Sequence, residues 1–379
     1  MRRGADTIDL MSEFQIFAKP VGARCNLRCS YCYFLPHQEG RVCSIPDELL
    51  EAYIIQHIEA CTDSTVQFSW HGGEPALFGL EGFRRIVALQ KKHCPEGRHI
   101  LNGIQTNGLL LNDRWCEFLA EERFFVGISI DGMEQVHDLH RVTADGHATH
   151  ARAVESYERL LRHGVATECL CVVHSENVCH PMAVYEFFRG LEVPYLSFIP
   201  LVEPLPDGGV TTRSVPSDAW GEFLCTVFDA WLESGIGNIK IQIFEEAARS
   251  AFGLDHSLCI FRRDCNVPAL QWNGDLYSCD HYMTPGYHLG NIRETPLAAL
   301  IDSPRQQAFS RAKQESLTSQ CRECAVVDMC NGGCPKDRII KTIDDKPGLN
   351  YLCSGYRRFF THCRPFVEAV AQLWLKSCL

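Results

Sequence analysis

The chain has no apolar run long enough to cross a bilayer, and its opening residues, MRRGADTIDLMSEF, put Asp6, Asp9 and Glu13 where a secretory leader needs an unbroken apolar stretch. No membrane association is expected, and the cytoplasm is the expected compartment. Positive charge is also short. Lys and Arg number 36 against 47 Asp and Glu, a net charge of −11, which argues against nucleic acid as the main partner. Short-period repeats and low-complexity tracts are missing too. What remains, at 379 residues with 46% hydrophobic and 22% charged, is a globular chain with room for a large core: one large α/β domain, or a barrel with an appended module.

Cysteine, by contrast, is abundant: 21 residues. A reducing compartment makes a disulfide framework a poor explanation, so metal or redox chemistry is expected. Cys43, Cys61, Cys94, Cys116, Cys169, Cys171, Cys179, Cys225, Cys363 and Cys378 are scattered through segments with strand or helix patterning, and read as small buried hydrophobes. The other eleven form groups: Cys25, Cys29 and Cys32; Cys259, Cys265 and Cys279; Cys321, Cys324, Cys330, Cys334 and Cys353.

Apolar runs at 13–20, 65–70, 99–108, 124–132, 165–173 and 195–202 predict buried strands. Between them, amphipathic segments such as PDELLEAYIIQHIEAC and LEGFRRIVALQKKH predict helices, with Pro46 and Asn112 at two starts and Gly164 and Gly190 closing two others. Six strands alternating with helices favour a partial barrel over a doubly wound sheet. The polar stretch EPLPDGGVTTRSVPSD (203–218) reads as the exit from this domain, followed by the helix AWGEFLCTVFDAWLES.

The densest motif, RCNLRCSYCYF (24–34), follows the first strand directly, at the carboxyl end where barrel active sites are built. Its three cysteines have no fourth nearby. Structural zinc takes four protein ligands, whereas three thiolates on a 4Fe–4S cluster leave one iron open to a small molecule. The spacing Cys25-x3-Cys29-x2-Cys32, with Tyr31 before the last cysteine, resembles the signature of the radical S-adenosylmethionine enzymes. Other strand ends agree with the resemblance. HGGEPAL (71–77) ends the second strand, where two glycines allow close approach and edge carbonyls can accept hydrogen bonds from an ammonium group. QTNG (105–108) ends the third and ISIDG (128–132) the fourth; Ser129 and Asp131, two apart on a strand, share a face suited to a ribose and a carboxylate. The resemblance therefore implies cofactor contacts at Gly72, Gly73, Glu74, Pro75, Gln105, Asn107, Ser129, Asp131 and Phe34, with Arg152 on the next helix pairing with the cofactor's carboxylate.

Cys321-x2-Cys324-x5-Cys330-x3-Cys334, with Cys353 beyond, is dense enough to bind metal, as a zinc ribbon or as iron–sulfur ligands. With Cys259, Cys265 and Cys279 the set reaches eight, the number needed by two fully ligated 4Fe–4S clusters. This arrangement is similar to the twin-cluster SPASM domain of radical enzymes that modify peptides. The resemblance implies that Cys259, Cys265, Cys279 and Cys334 hold the inner cluster and Cys321, Cys324, Cys330 and Cys353 the outer one. The implied fold is a partial (β/α)6 TIM-like barrel over 1–235 and a cysteine-rich SPASM domain over 236–379.

Nearly the whole chain is similar to the anaerobic sulfatase-maturating enzymes, through CNLRCSYCYF, HGGEPAL, GISIDGMEQVHDLHR, NGDLYSCDHYMTPGYHLGNI and CRECAVVDMCNGGCPKDR. Met133, Ala76 and CNVPAL (265–270) depart from the usual pattern. The resemblance implies three 4Fe–4S clusters, S-adenosylmethionine, and conversion of a Cys or Ser in an unfolded or nascent sulfatase segment to formylglycine, with flavodoxin or ferredoxin as electron donor. A β-hydrogen is removed as an atom, the auxiliary clusters accept an electron, and Asp280, next to Cys279, takes the proton. Asp280 could equally cap a loop. Two other readings predict different behaviour: a peptide-crosslinking enzyme of the same type would carry a recognition domain ahead of residue 13, which the sequence gives no reason to expect, and a zinc-bound interaction protein would be colourless.

Overall fold

The computed structural model describes residues 15–37 and 44–377. Cys43, Cys378, the amino-terminal stretch and the first two residues of the first predicted strand lie outside the described residues. Each of the six predicted strands is present: β1 Phe17–Lys19, β2 Thr65–Trp70, β3 His99–Thr106, β4 Phe125–Ser129, β5 Ala166–Val173 and β6 Tyr195–Pro200. Neighbours pair in parallel, in chain order. The connections carry helices: α1 Asp47–Ala60, α2 Leu80–His93, α3 Asp113–Glu121, the single-turn α4 Glu134–His137, α5 His150–Arg162 and α6 Pro181–Gly190.

Local sequence explains the helix ends. Pro46 precedes α1 with Asp47 and Glu48 in the first turn, where the helix dipole favours negative charge. The Asn112 side chain accepts the Trp115 amide to cap α3. Gly164 follows α5 at φ +71°, a left-handed conformation that costs glycine nothing. Gly190 does not close α6 in this way: it is the last helical residue, and the left-handed position falls on Glu192 at φ 54°.

Alternation along the strands sorts the two faces. Trp70 packs on Tyr53 of α1 and Phe83 of α2, so the buried residues Val66, Phe68 and Trp70 of β2 face the helices. Lys19, Ser69, Gln105, Ser129, Glu168 and Ser197 fall on the opposite, lumenal face, where Gln105 donates to Ser129 Oγ at 3.0 Å and Ser197 Oγ to Glu168 at 3.4 Å.

Beyond β6, α7 (Ser217–Ser234) leads to β7 (Lys240–Ile241), which adds in parallel to β6, and to α8 (Gln242–Ala251). The cysteine-rich part then joins the other edge of the same sheet. Strand β8 (Ala269–Gln271) pairs in parallel with β1, and β9 (Asp275–Tyr277) and β10 (His288–Asn291) follow antiparallel, giving the order β10-β9-β8-β1-β2-β3-β4-β5-β6-β7. Short helices α9 (Leu297–Ile301), α10 (Pro304–Glu315), α11 (Ser319–Arg322) and α12 (Val327–Cys330) carry the remaining cysteines to α13 (Cys353–Ser377). Phe359 of α13 meets Phe228 of α7 and Phe244 of α8. No helix among the described residues is long and apolar enough to cross a membrane.

Candidate active site

The loop from Arg24 to Phe34 is held by close backbone approach. Gly73 N donates to Gly22 O and Glu74 N to Arg24 O, and a Cβ on Gly73 would meet Arg24 O at 2.2 Å. The glycine pair thus lets the end of β2 lie against the residues just before Cys25. Glu74 is fully buried and its carboxylate is occupied: Oε1 accepts from Ala76 N and Thr106 Oγ1, and Oε2 from Asn107 N. It braces the ends of β2 and β3, and the edge carbonyls of HGGEP are the acceptors left without such partners. Asn107 reaches the cysteine loop, donating to Asn26 Oδ1 at 2.8 Å, with Cys25 Sγ at 3.8 Å.

Three further expected cofactor contacts have partners within the chain. Asp131 is fully buried and committed to its own chain: it accepts from Tyr31 Oη, from Arg141 Nε at 2.9 Å and from Val172 N at 2.9 Å. It anchors the cysteine loop through Tyr31. Arg152 is exposed and points to Leu109 O at 3.4 Å. Phe34 is 2% exposed, packed against Ala23, Ala269 and Met283.

At the seam between barrel and appended strands, Asp280 meets three residues that the sequence reading did not single out. Tyr33 Oη donates to Asp280 Oδ2 at 2.5 Å. The ammonium of Lys19, at the end of β1, lies 3.7 Å from the same oxygen and 3.9 Å from the centre of the Phe34 ring. His71, after β2, is the third, close enough to act on the Asp280 charge. Burial pushes the Asp280 carboxyl up, but His281, Lys19, His71 and the Tyr33 hydrogen bond outweigh it and hold the group below the usual carboxylate range. The sole hydrogen-bond donor to Oδ1 among the described residues is Cys279 Sγ at 3.9 Å, a thiol that ligation would deprotonate. A signal for Lys19 was present: a charge alternating with the buried Ile16 and Ala18 in an apolar strand belongs on the lumenal face.

The cysteines fall into three sets. Burial pushes the Cys25 thiol up to about 12 and Cys29 up to about 11, with Cys32 close enough to add to both. Cys279 feels Cys259 and Cys334, and Cys259 feels Cys265. Cys330, pushed by burial to about 12, feels Cys353, Cys321 and Cys324. Cys334 therefore sits with the 259–279 group although its sequence neighbour Cys330 belongs to the other quartet. Thiols gathered as three, four and four fit soft iron–sulfur ligation, which would release the protons they carry. Of the scattered cysteines, Cys61, Cys116, Cys169, Cys171, Cys225 and Cys363 are buried as expected, Cys94 is half-buried and Cys179 is exposed.

Comparison with known proteins agrees with this arrangement. The profile of the Radical SAM superfamily matches residues 20–188, and that of SPASM, an iron–sulfur cluster-binding domain, matches 259–325, so the chain is a radical S-adenosylmethionine enzyme with an appended iron–sulfur domain. It is 39% identical over 373 residues to a serine-type anaerobic sulfatase-maturating enzyme of Bacteroides thetaiotaomicron, covering 93% of this chain and 90% of the relative. A cysteine-type enzyme of Clostridium perfringens is 30% identical, covering 95% and 99%. The solved structure of native anSMEcpe with bound AdoMet and Cp18Cys peptide superposes with a TM-score of 0.86 at 30% identity, covering 95% of this chain and 99% of that one. The chain belongs to the anaerobic sulfatase-maturating enzymes.

Proposed function

We propose that the site oxidises a Ser or Cys side chain, in an unfolded or nascent sulfatase segment lying across the seam between β1 and the appended strands, to formylglycine. When bound, the three 4Fe–4S clusters and S-adenosylmethionine supply the electron transfers and the hydrogen-atom abstraction. The residues of the chain hold and move the proton. Asp280, kept ionised, presents Oδ1 to the substrate carbon's hydroxyl or thiol proton; Tyr33 and Lys19 engage Oδ2 and fix the orientation of the carboxylate. Cys25, Cys29 and Cys32 hold the cluster at the cofactor. Cys259, Cys265, Cys279 and Cys334 hold the inner auxiliary cluster, and Cys321, Cys324, Cys330 and Cys353 the outer one. Edge carbonyls of Gly72, Gly73 and Pro75, with Gln105, Asn107 and Ser129, surround the cofactor. Serine loses its hydrogens to give the aldehyde directly; cysteine gives a thioaldehyde that hydrolyses with loss of sulfide.

The observation that carries this reading is the contact of Asp280, adjacent to a cluster ligand, with Lys19 and Tyr33 of the barrel. We place the domain boundary at 235/236, in the turn after α7, although β7 still belongs to the barrel sheet. The cytoplasm, and flavodoxin or ferredoxin as electron donor, complete the proposal. Identity to serine-type relatives runs from 34% to 39%, against 26% to 30% for cysteine-type ones, which favours serine. Anaerobic incubation with a sulfatase-motif peptide in Ser and Cys versions, followed by mass spectrometry, tests it. The serine peptide is expected to lose 2 Da, the mass of about two hydrogens; an unmodified peptide alongside 5′-deoxyadenosine formation would reject the substrate assignment.

A further inference from the structure

Behind the cysteine loop, away from the proposed proton acceptor, lies a second set of ligating side chains. His140 follows α4, and His174 and Glu176 follow β5. One ring nitrogen from each histidine and one carboxylate oxygen lie within 4.8 Å of one another. Glu176 Oε2 is 2.7 Å from His174 Nδ1 and 3.4 Å from His140 Nε2. Donors around a tetrahedral ion with bonds of about 2.0–2.1 Å stand roughly 3.3 Å apart, a spacing that the 2.7 and 3.4 Å separations bracket.

The surroundings are those of a built site. His140 Nδ1 is held by Ser30 Oγ at 2.7 Å, which orients the ring and leaves Nε2 facing Glu176, as outer partners of ligating histidines do. The backbone reinforces the link, with Ser30 N donating to His140 O at 3.0 Å. His140 and His174 are 5% and 0% exposed, and the two rings meet edge to face at 4.4 Å. His174 presents Nδ1 to Glu176, and its Nε2 is buried with no hydrogen-bond partner among the described residues, so no second contact holds Nδ1–H as the tautomer. Glu176, with 42% of its side chain exposed, opens the trio to solvent.

We infer that His140, His174 and Glu176 bind one divalent transition-metal ion, of the zinc or iron(II) class, that ties the loops after β4 and β5 to the cysteine loop. Two imidazoles and one carboxylate select such an ion over magnesium or calcium, and the absence of thiols separates the site from those of the clusters.

Zinc is the probe. Anaerobic holoenzyme with all clusters loaded is equilibrated with zinc chloride and desalted, and its iron and zinc are measured. About one zinc per chain is expected with iron content unchanged, and X-ray absorption should show nitrogen and oxygen neighbours at about 2.0–2.1 Å without sulfur at about 2.3 Å. Glu176→Gln, at an exposed position, should weaken zinc retention at least about tenfold, and His140→Asn with His174→Asn should abolish it. Should the double variant fail to fold, Glu176→Gln with full iron decides. No zinc on the wild type, sulfur-ligated zinc, or equal retention by the variants would overturn the assignment.

Discussion

The two cysteine regions solve the same ligation problem in opposite ways. In the barrel, three ligands sit in one loop of eight residues, and the fold's work is to brace that loop through Gly73 against Arg24, Asn107 against Asn26, and Asp131 against Tyr31. In the appended region, the eight proposed ligands are spread from Cys259 to Cys353, and the proposal joins Cys334 to a quartet that begins 75 residues earlier (334 − 259). On the proposed assignment, the first set is an open site on a rigid scaffold, and the second consists of closed sites that are themselves the scaffold. Metal loss should therefore cost chemistry in one region and structure in the other.

The comparison breaks most visibly if the open loop is removed. Replacing Cys25, Cys29 and Cys32 with Ala should abolish 5′-deoxyadenosine formation and remove about four iron ions per chain, with thermal stability nearly unchanged. A large loss of stability would mean that the loop is structural after all. A smaller but more global effect is expected from Cys353→Ala, which removes the ligand opening α13: about four iron ions lost, a thermal midpoint lowered by roughly 5 °C or more, and activity lost through the fold. Full iron content with unchanged melting would contradict the outer-quartet assignment.

The smallest effect concerns a carboxylate within the barrel. Burial pushes Glu168 up to about 7, against a slight lowering by Ser197. Because the folded value lies above that of the unfolded chain, ionisation opposes folding, and stability falls as pH rises from about 4.5 to 7. Glu168→Gln should thus be nearly neutral at low pH and stabilising by about 2 kcal/mol at pH 8, read from denaturant unfolding at both pH values. A constant difference across that range would show that Glu168 is ionised throughout.

The strands, the helices and the grouping of the eleven clustered cysteines were legible because periodicity and spacing are local signals. The partition of the quartets was reached through family resemblance, since no spacing argument moves Cys334 away from Cys330. The roles of Glu74, Asp131 and Phe34 were not legible. Each sits in a motif expected to lie beside the cofactor, but burial and own-chain partners, which depend on contacts distant in sequence, turn them inward. Tyr33 was missed for the converse reason: its partner is 247 residues away.

The central claim is that Asp280 moves a proton and does not merely cap a cluster loop. Asp280→Asn, assayed anaerobically with the serine peptide, separates the two. The account predicts full iron content and continued 5′-deoxyadenosine formation, with formylglycine reduced on the order of 10² to 10⁴-fold, because Asn keeps the volume and loses the base. Near-normal formylglycine, or loss of the iron held beside Cys279, would contradict it.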